Sequence, residues 1–263
     1  MKNIISYLKV FLDIFILLLA IVSQVHAFNP KRLLVVTVTK GFKHQSIPLL
    51  EKTIEDLGKI DDKFTVDFAR TDEDLATKMT ATALQNYDGV VFASTTGDLP
   101  LPNREAFLNW VKNGHAFIGV HSATDTFHGY SLFTEMIGGE FATHGPQLKV
   151  TLNLDDAKHA ATKHFGKTIE IFEEIYTFKI FHGDKVRVLL SLDKNPNQKD
   201  VEGFGKAGFY PIAWCQNYGK GRVFYTALGH RDDVVESEMF RKHLLGGILW
   251  TLKKAKGSGK PQV

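Results

Sequence analysis

AFIGVHSATD, residues 116–125, is typical of a buried β-strand that ends in an abrupt turn. Residues 116–120 form a short apolar run, as expected of a parallel strand covered on both faces. His121 follows directly, and small residues lead from it to Asp125. In many α/β enzymes this corner carries a Ser or Cys nucleophile. A histidine more often moves protons or binds a metal, so the corner predicts chemistry of that kind.

Strand and helix patterns alternate around this corner. Earlier strands are predicted at 32–39, 64–70 and 87–94, and helices at 47–58, 72–86, 104–114 and 131–139. After residue 146 strands dominate, at 148–154, 167–178, 185–193, 211–216 and 222–230, before a last helix at 237–253. The alternation favours right-handed crossovers into a parallel sheet. We therefore predict a doubly wound α/β domain, mostly parallel and with helices on both faces, that has an antiparallel-rich addition in its C-terminal half.

Residues 1–27 have the pattern of a cleavable signal peptide. Lys2 and Lys9 precede an apolar run at 15–22, and VHA ends at Ala27, where we expect cleavage. The alternative is an uncleaved anchor, although Asp13 interrupts the apolar stretch. The sequence thus predicts a periplasmic or secreted protein that has no membrane segment after cleavage.

Composition argues against several kinds of partner and chemistry. The net charge of +3 falls to +2 once residues 1–27, with two Lys and one Asp, are removed. This balance gives no electrostatic reason to bind nucleic acid. Cys215 is the only cysteine, so no intrachain disulfide can form, and its apolar context predicts a core residue.

Three histidines follow predicted strand ends. His44 comes after the first strand, His121 after the fourth and His230 after the late strand 222–230. In open α/β sheets, ligands bind beyond the carboxyl ends of the strands, so the three side chains are expected to share one edge. His144 is predicted on a loop behind the helix that follows His121.

EEIYTF, residues 173–178, holds a second candidate cluster. On a single alternating strand Glu174 and Tyr176 share a face, while Glu173 points the other way. A carboxylate and a phenol on one face suit sugar binding or acid–base work. A solvated strand face is the alternative.

Six motifs together resemble the trehalose-utilisation (ThuA-like) family over about residues 32–253. They are GFKHQS (41–46), YDGVVF (87–92), GVHSATD (119–125), GGEFATHG (138–145), EEIYTF and PIAWCQNYGKGRVFYTALGH (211–230). The resemblance implies a flavodoxin-like fold related to the class I glutamine amidotransferases. Domain bounds of 28–255 follow, with a flexible tail at 256–263. Those amidotransferases have a Cys where His121 stands, so thiolate glutaminase chemistry is excluded here.

The resemblance also implies a role in carbohydrate metabolism, on disaccharides such as trehalose or on keto-sugars, by a hydrolase, lyase or isomerase type of reaction. The resemblance further implies that the site residues lie together in one polar site. We assign catalytic roles to His121, His230 and Glu174, and substrate binding to His44, His144, Tyr176 and Asp125.

Two mechanisms fit these residues. In one, a divalent ion such as zinc or manganese, held by His44, His121, His144 and His230, polarises a sugar carbonyl or activates water. In the other, a His–Glu pair moves protons without a metal. Nothing in the spacing demands an ion, so the metal-free mechanism is the simpler prediction.

A third alternative is a non-catalytic sugar-binding or accessory protein in the periplasm. The expected partner is a small-molecule carbohydrate. The sequence leaves open a homo-oligomer and a sugar dehydrogenase as further partners.

Overall fold

The computed structural model describes residues 30–166, 168–194 and 210–262. The strands are β1 (Lys31–Val36), β2 (Phe64–Ala69), β3 (Gly89–Ala93), β4 (Ala116–Val120), β5 (Gly139–His144), β6 (Leu148–Leu154), β7 (Ile169–Glu173), β8 (Tyr176–Phe181), β9 (Arg187–Leu192), β10 (Tyr210–Tyr218) and β11 (Gly221–Thr226). The helices are α1 (Ile47–Lys59), α2 (Asp72–Lys78), α3 (Arg104–Lys112), α4 (Ser131–Ile137), α5 (Asp232–Glu236) and α6 (Glu238–Thr251). The predicted signal peptide lies outside the described residues, so export stays a prediction.

The main sheet has the order β2-β1-β3-β4-β11-β10-β9-β6-β7. The first five strands in this order are parallel, and every later pairing is antiparallel. The order 2-1-3-4 followed by one more parallel strand is that of the flavodoxin-like folds. The predicted α/β class and the antiparallel addition in the C-terminal half are both confirmed.

Helices cover both faces of the sheet. One apolar cluster includes Leu50 and Ile54 of α1 and Phe240, Leu244 and Ile248 of α6. The apolar cluster on the other face includes Leu75 of α2, Phe107 of α3 and Phe133 of α4. Because the parallel strands are buried on both sides, their polar chemistry is confined to the strand ends.

The segment 167–178 differs from the single strand predicted for it. β7 pairs with β6 in the main sheet, whereas β8 pairs with β5 in a separate two-stranded sheet. Glu174 and Ile175 form the corner between them. The alternating-face argument for Glu173, Glu174 and Tyr176 is therefore wrong, because it assumed an unbroken strand. His144 ends β5 and does not lie on a loop.

The predicted flexible tail also differs from the structure. The carbonyl of Gly257 accepts a hydrogen bond from Trp250 Nε1 at 3.0 Å, and that of Gly259 accepts one from the Asn217 backbone N–H at 3.3 Å. The tail therefore packs on the end of α6 and on β10. In the described part of the chain, no helix is both long enough and apolar enough to cross a membrane.

Two adjacent glycines let α6 approach its neighbours closely. A Cβ on Gly246 would lie 2.2 Å from the carbonyl oxygen of Ala160, and one on Gly247 would lie 2.5 Å from the ring of Phe224. Real Cβ atoms do not come so near, so the helix could not keep this position with larger residues.

We expect Gly246→Ala to lower the free energy of unfolding by about 1–3 kcal/mol through overpacking. Helix propensity alone predicts the reverse, a gain of about 1 kcal/mol. Urea unfolding measures the difference, with Lys242→Ala on the exposed side of the same helix as control. A Gly246→Ala protein as stable as the parent would show that α6 does not depend on this close approach.

Candidate functional site

Three histidines meet at the carboxyl edge of the sheet, where the strand-end argument places them. His121 directly follows β4, His44 lies between β1 and α1, and His230 lies between β11 and α5. His121 Nε2 is 3.1 Å from His44 Nε2 and 3.3 Å from His230 Nδ1. Parallel strands that end together bring these distant residues into contact.

The corner between β7 and β8 adds a carboxylate and a phenol. Glu174 Oε2 lies 3.4 Å from His230 Nδ1 and 3.6 Å from His121 Nε2. The Tyr176 hydroxyl lies 2.8 Å from the same His121 nitrogen. One ligand atom from each of His44, His121, Glu174 and His230 lies within 4.8 Å of the others, so this group could hold a metal ion. We call these four residues the His–Glu cluster.

Three predicted site residues lie outside the His–Glu cluster, and Tyr176, described above, is one of them. His144 is 45% exposed, and its Nδ1 lies 3.1 Å from Glu174 Oε1, the oxygen that does not face His121. It therefore contacts the cluster through the carboxylate. Asp125 Oδ1 instead contacts His128 Nε2.

The His121 ring sets the electronic character of the His–Glu cluster. Its Nδ1 lies 2.9 Å from the carbonyl oxygen of Ala227, which can only accept, so Nδ1 carries the proton and Nε2 is an acceptor. That nitrogen has one lone pair in the ring plane. His44, Tyr176, His230 and Glu174 all approach it. A single lone pair cannot serve so many neighbours, whereas one cation could take the lone pairs of the cluster together.

Burial keeps two of the rings neutral. Burial, reinforced by the neighbouring His230, lowers the pKa of His44 to about 4. Burial also lowers the pKa of His121 well below its ordinary value, and His44 adds to this effect. In contrast, the hydrogen bond with Glu174 raises the pKa of His230. Neutral imidazoles are the form that binds metals, so His44 and His121 are ready to act as ligands at neutral pH.

Partners outside the cluster fix the orientation of its members. His44 Nδ1 lies 3.4 Å from Ser122 Oγ, so both buried rings have a second contact that sets which nitrogen faces the cluster. His144, which lies outside the cluster, likewise contacts Glu174 and orients its carboxylate. Metal-binding histidines and carboxylates nearly always have such outer partners.

The backbone at the corner is held in a sparsely populated conformation. His121 has φ 51°, in the left-handed region that non-glycine residues rarely adopt. The Tyr225 hydroxyl donates to the His121 carbonyl at 2.7 Å and stands 3.0 Å from Thr124 Oγ1. Strain of this kind clusters at functional sites, where the surroundings must hold it.

Sequence reasoning missed Glu173. Its side chain is fully buried and accepts hydrogen bonds from the backbone N–H of Glu174 at 2.9 Å and of Gly229 at 3.1 Å. Burial raises its pKa to about 7. Glu173 therefore joins the β7 corner to the loop that carries His230. The adjacent pair of glutamates in the sequence could have indicated this role. The assumption of a single strand, however, predicts that Glu173 points away from the site.

A cleft of about 730 Å³ opens beside His230. The residues that line it are Phe42, Lys43, Gln45, Gln147, residues 230–233 and Glu236. It lies at the strand-end edge, where substrates of α/β proteins bind.

Cys215 takes no part in the site. It is fully buried in β10, and burial raises the pKa of its thiol. A thiolate nucleophile is therefore excluded, and the corner after β4 carries His121 instead.

The fold and the site define an α/β protein of flavodoxin-like strand order whose nucleophile corner carries a histidine cluster. Residues 32–251 match the family model ThuA, described as trehalose utilisation. The chain belongs to this family.

Solved structures agree with the fold. A ThuA-like protein from Bacteroides uniformis has a TM-score of 0.68 at 24% identity, covering 90% of this chain and 97% of that one. One from Parabacteroides merdae also has a TM-score of 0.68, at 20% identity, covering 87% and 92%. A β-galactosidase from Rahnella sp. R3 gives 0.51 at 13% identity, covering 85% of this chain but 31% of its own. A comparison with curated protein sequences gives no match.

Proposed function

We propose that the protein is a metal-assisted enzyme that transfers protons on a disaccharide or keto-sugar derivative. The single observation that carries the proposal is that three imidazole nitrogens and one carboxylate oxygen lie within 4.8 Å of one another. The family name supports the carbohydrate, and the cleft beside His230 supplies space for it.

The His–Glu cluster fits a divalent ion. Two ligands of a tetrahedral ion, each bound at about 2.0–2.1 Å, lie about 3.4 Å apart. Four separations between cluster atoms run from 3.1 to 3.6 Å, and the ligand atoms of the whole cluster lie within 4.8 Å of one another. Three imidazoles and a carboxylate favour zinc, with manganese as the second choice. Because of this geometry, we favour the metal-assisted mechanism over the metal-free one.

When bound there, such an ion would polarise a sugar carbonyl or lower the pKa of a water. The remaining steps belong to side chains. Burial raises the pKa of Tyr176 well above its ordinary value, so its hydroxyl stays protonated and can donate to a substrate oxygen. His144 is the more exposed imidazole beside Glu174, which places it to exchange a proton with the substrate.

The arrangement does not suit an ordinary glycosidase. Such enzymes use two carboxyl groups on opposite sides of the scissile bond. Here the carboxylate next to Glu174, that of Glu173, is buried and bound to backbone N–H groups, while those of Asp232 and Glu236 line the cleft and are not part of the cluster. If the sugar carries a carbonyl, the reaction can instead be proton abstraction from the adjacent carbon. That reaction needs no second carboxylate, and His144 and Tyr176 can take part in it.

Metal analysis and turnover of an oxidised disaccharide with one ring ketone test the proposal. We expect near-stoichiometric zinc or manganese, loss of turnover with a chelator, and recovery when the ion is returned. Turnover that survives complete metal removal would support the metal-free mechanism. A protein that binds the sugar but leaves it unchanged after long incubation would be an accessory protein.

A further inference from the structure

We infer that the cleft beside His230 binds an uncharged second sugar ring, and that this ring stacks on Phe42. The inference rests on the proposed function, because it takes the His–Glu cluster as the reacting end of the substrate. It adds a specificity-determining residue and a charge preference that the cluster alone does not supply.

Phe42 is an exposed ring in a fixed place. It is 66% exposed, more than any other large apolar side chain among the described residues. Its loop is nevertheless pinned, because Thr96 Oγ1 donates to the Phe42 carbonyl at 3.0 Å and accepts from the Gly41 N–H at 3.1 Å. The Phe42 ring also meets the His44 ring at a centroid distance of 4.8 Å. An apolar ring is thus held open to solvent next to a member of the cluster.

The rest of the lining suits sugar hydroxyls. Gln45 and Gln147 offer amide groups that both donate and accept, and Asp232 and Glu236 offer carboxylate acceptors. A pyranose ring has hydroxyls around its edge and an apolar C–H face, so it can satisfy both the polar lining and an aromatic ring. Drug-sized ligands occupy sites of about 300–1,000 Å³, and the cleft falls within this range at about 730 Å³.

The charges in the cleft disfavour an anionic sugar. Arg231 is already engaged, since its guanidinium contacts both carboxylate oxygens of Asp233 at 2.8 and 3.0 Å and Gln147 Oε1 at 2.7 Å. Lys43 lines the cleft together with two further carboxylates, those of Asp232 and Glu236. The carboxylates of Asp232, Asp233 and Glu236 outnumber the side-chain cations of Lys43 and Arg231, so this part of the lining disfavours a phosphate or uronate in the second ring.

Calorimetry on the full chain with its native metal tests the inference. The probes are trehalose, maltose and cellobiose, which lack a ketone, with glucose and trehalose 6-phosphate for comparison. We expect at least one neutral disaccharide to bind more tightly than glucose, and more tightly than the phosphorylated disaccharide. Phe42→Ala should weaken disaccharide binding about tenfold, the effect expected of losing one aromatic contact.

Two control variants complete the experiment. Ile60→Ala removes another exposed apolar side chain, 43% exposed and outside the cleft, and should not change binding. Asp232→Asn with Glu236→Gln should improve binding of trehalose 6-phosphate relative to trehalose. The inference is overturned if no disaccharide binds, if Phe42→Ala binds like the parent, or if the phosphorylated sugar binds best. Because binding is measured without turnover, disaccharide binding in a protein that carries no metal would instead count against the proposed function.

Discussion

Replacing His121 with alanine should remove the bound metal and lower kcat/KM by about a thousandfold or more. The estimate is the loss of metal assistance, which stabilises the charge of the transition state by several kcal/mol. His121 is fully buried, and its Nε2 is the atom that the other site residues approach. Metal content by mass spectrometry and steady-state kinetics on the keto-disaccharide measure the two effects.

The same strand offers a matched control. His115 stands at the opposite end of β4, stacked on Trp110 at a centroid distance of 4.0 Å, with Nδ1 2.7 Å from the Trp110 carbonyl. His115→Ala should lower stability without changing metal content or turnover. His121→Asn guards against misfolding, because Asn tolerates the left-handed backbone at this position. Normal turnover in a folded His121 variant would overturn the assignment of the site.

Tyr176→Phe should lower turnover by about 10²–10⁴, while the metal stays bound. The hydroxyl lies 2.8 Å from His121 Nε2, but Tyr176 is not one of the four residues that could hold an ion. The phenyl ring keeps the packing against Phe141, at a centroid distance of 4.5 Å, so the fold should be retained. Kinetics and metal analysis of the same preparation therefore separate proton transfer from metal binding.

Tyr218→Phe is the control for this change. Tyr218 is a half-buried tyrosine at the end of β10, and burial raises its pKa as it does that of Tyr176. It should keep full turnover. If Tyr176→Phe also keeps full turnover, its hydroxyl has only a structural role, and the proton donor must be sought elsewhere at the site, with His144 first.

The sequence predicts the strand-end part of the site well, and the reason is topological. Buried parallel strands can be recognised from their apolar runs, and crossover connections bring their carboxyl ends to one edge. The positions of His44, His121 and His230 relative to those runs therefore suffice to place them together. The same argument cannot give their separations, which depend on ring orientation and on contacts such as that between His121 and Ala227.

The β7–β8 corner could not be predicted in this way. Residues 169–178 contain no glycine or proline, so nothing local marks a break in the strand. Tertiary pairing breaks the strand, because β7 pairs with β6 in the main sheet while β8 pairs with β5 in the smaller sheet. The bond from the Glu174 N–H to the Glu173 side chain then supports the turn. The metal-binding potential of Glu174 was missed for the same reason.

His128 shows a similar limit. Its sequence context is that of a solvated turn residue, yet its ring nitrogens contact the carboxylates of Asp125 and Glu140. Asp125 is close in the chain, but Glu140 lies in β5 and reaches His128 only in the folded protein. Asp125 is thereby engaged with a neighbour outside the His–Glu cluster, contrary to what its place in the motif suggests.

Anomalous X-ray diffraction at the zinc and manganese absorption edges tests the central claim most directly. Crystals of the full chain grown with both ions supplied should show one strong peak, about 2.0–2.2 Å from His44 Nε2, His121 Nε2, His230 Nδ1 and a Glu174 oxygen. Either the absence of a peak at this point or a well-occupied ion elsewhere with the cluster empty would contradict the account.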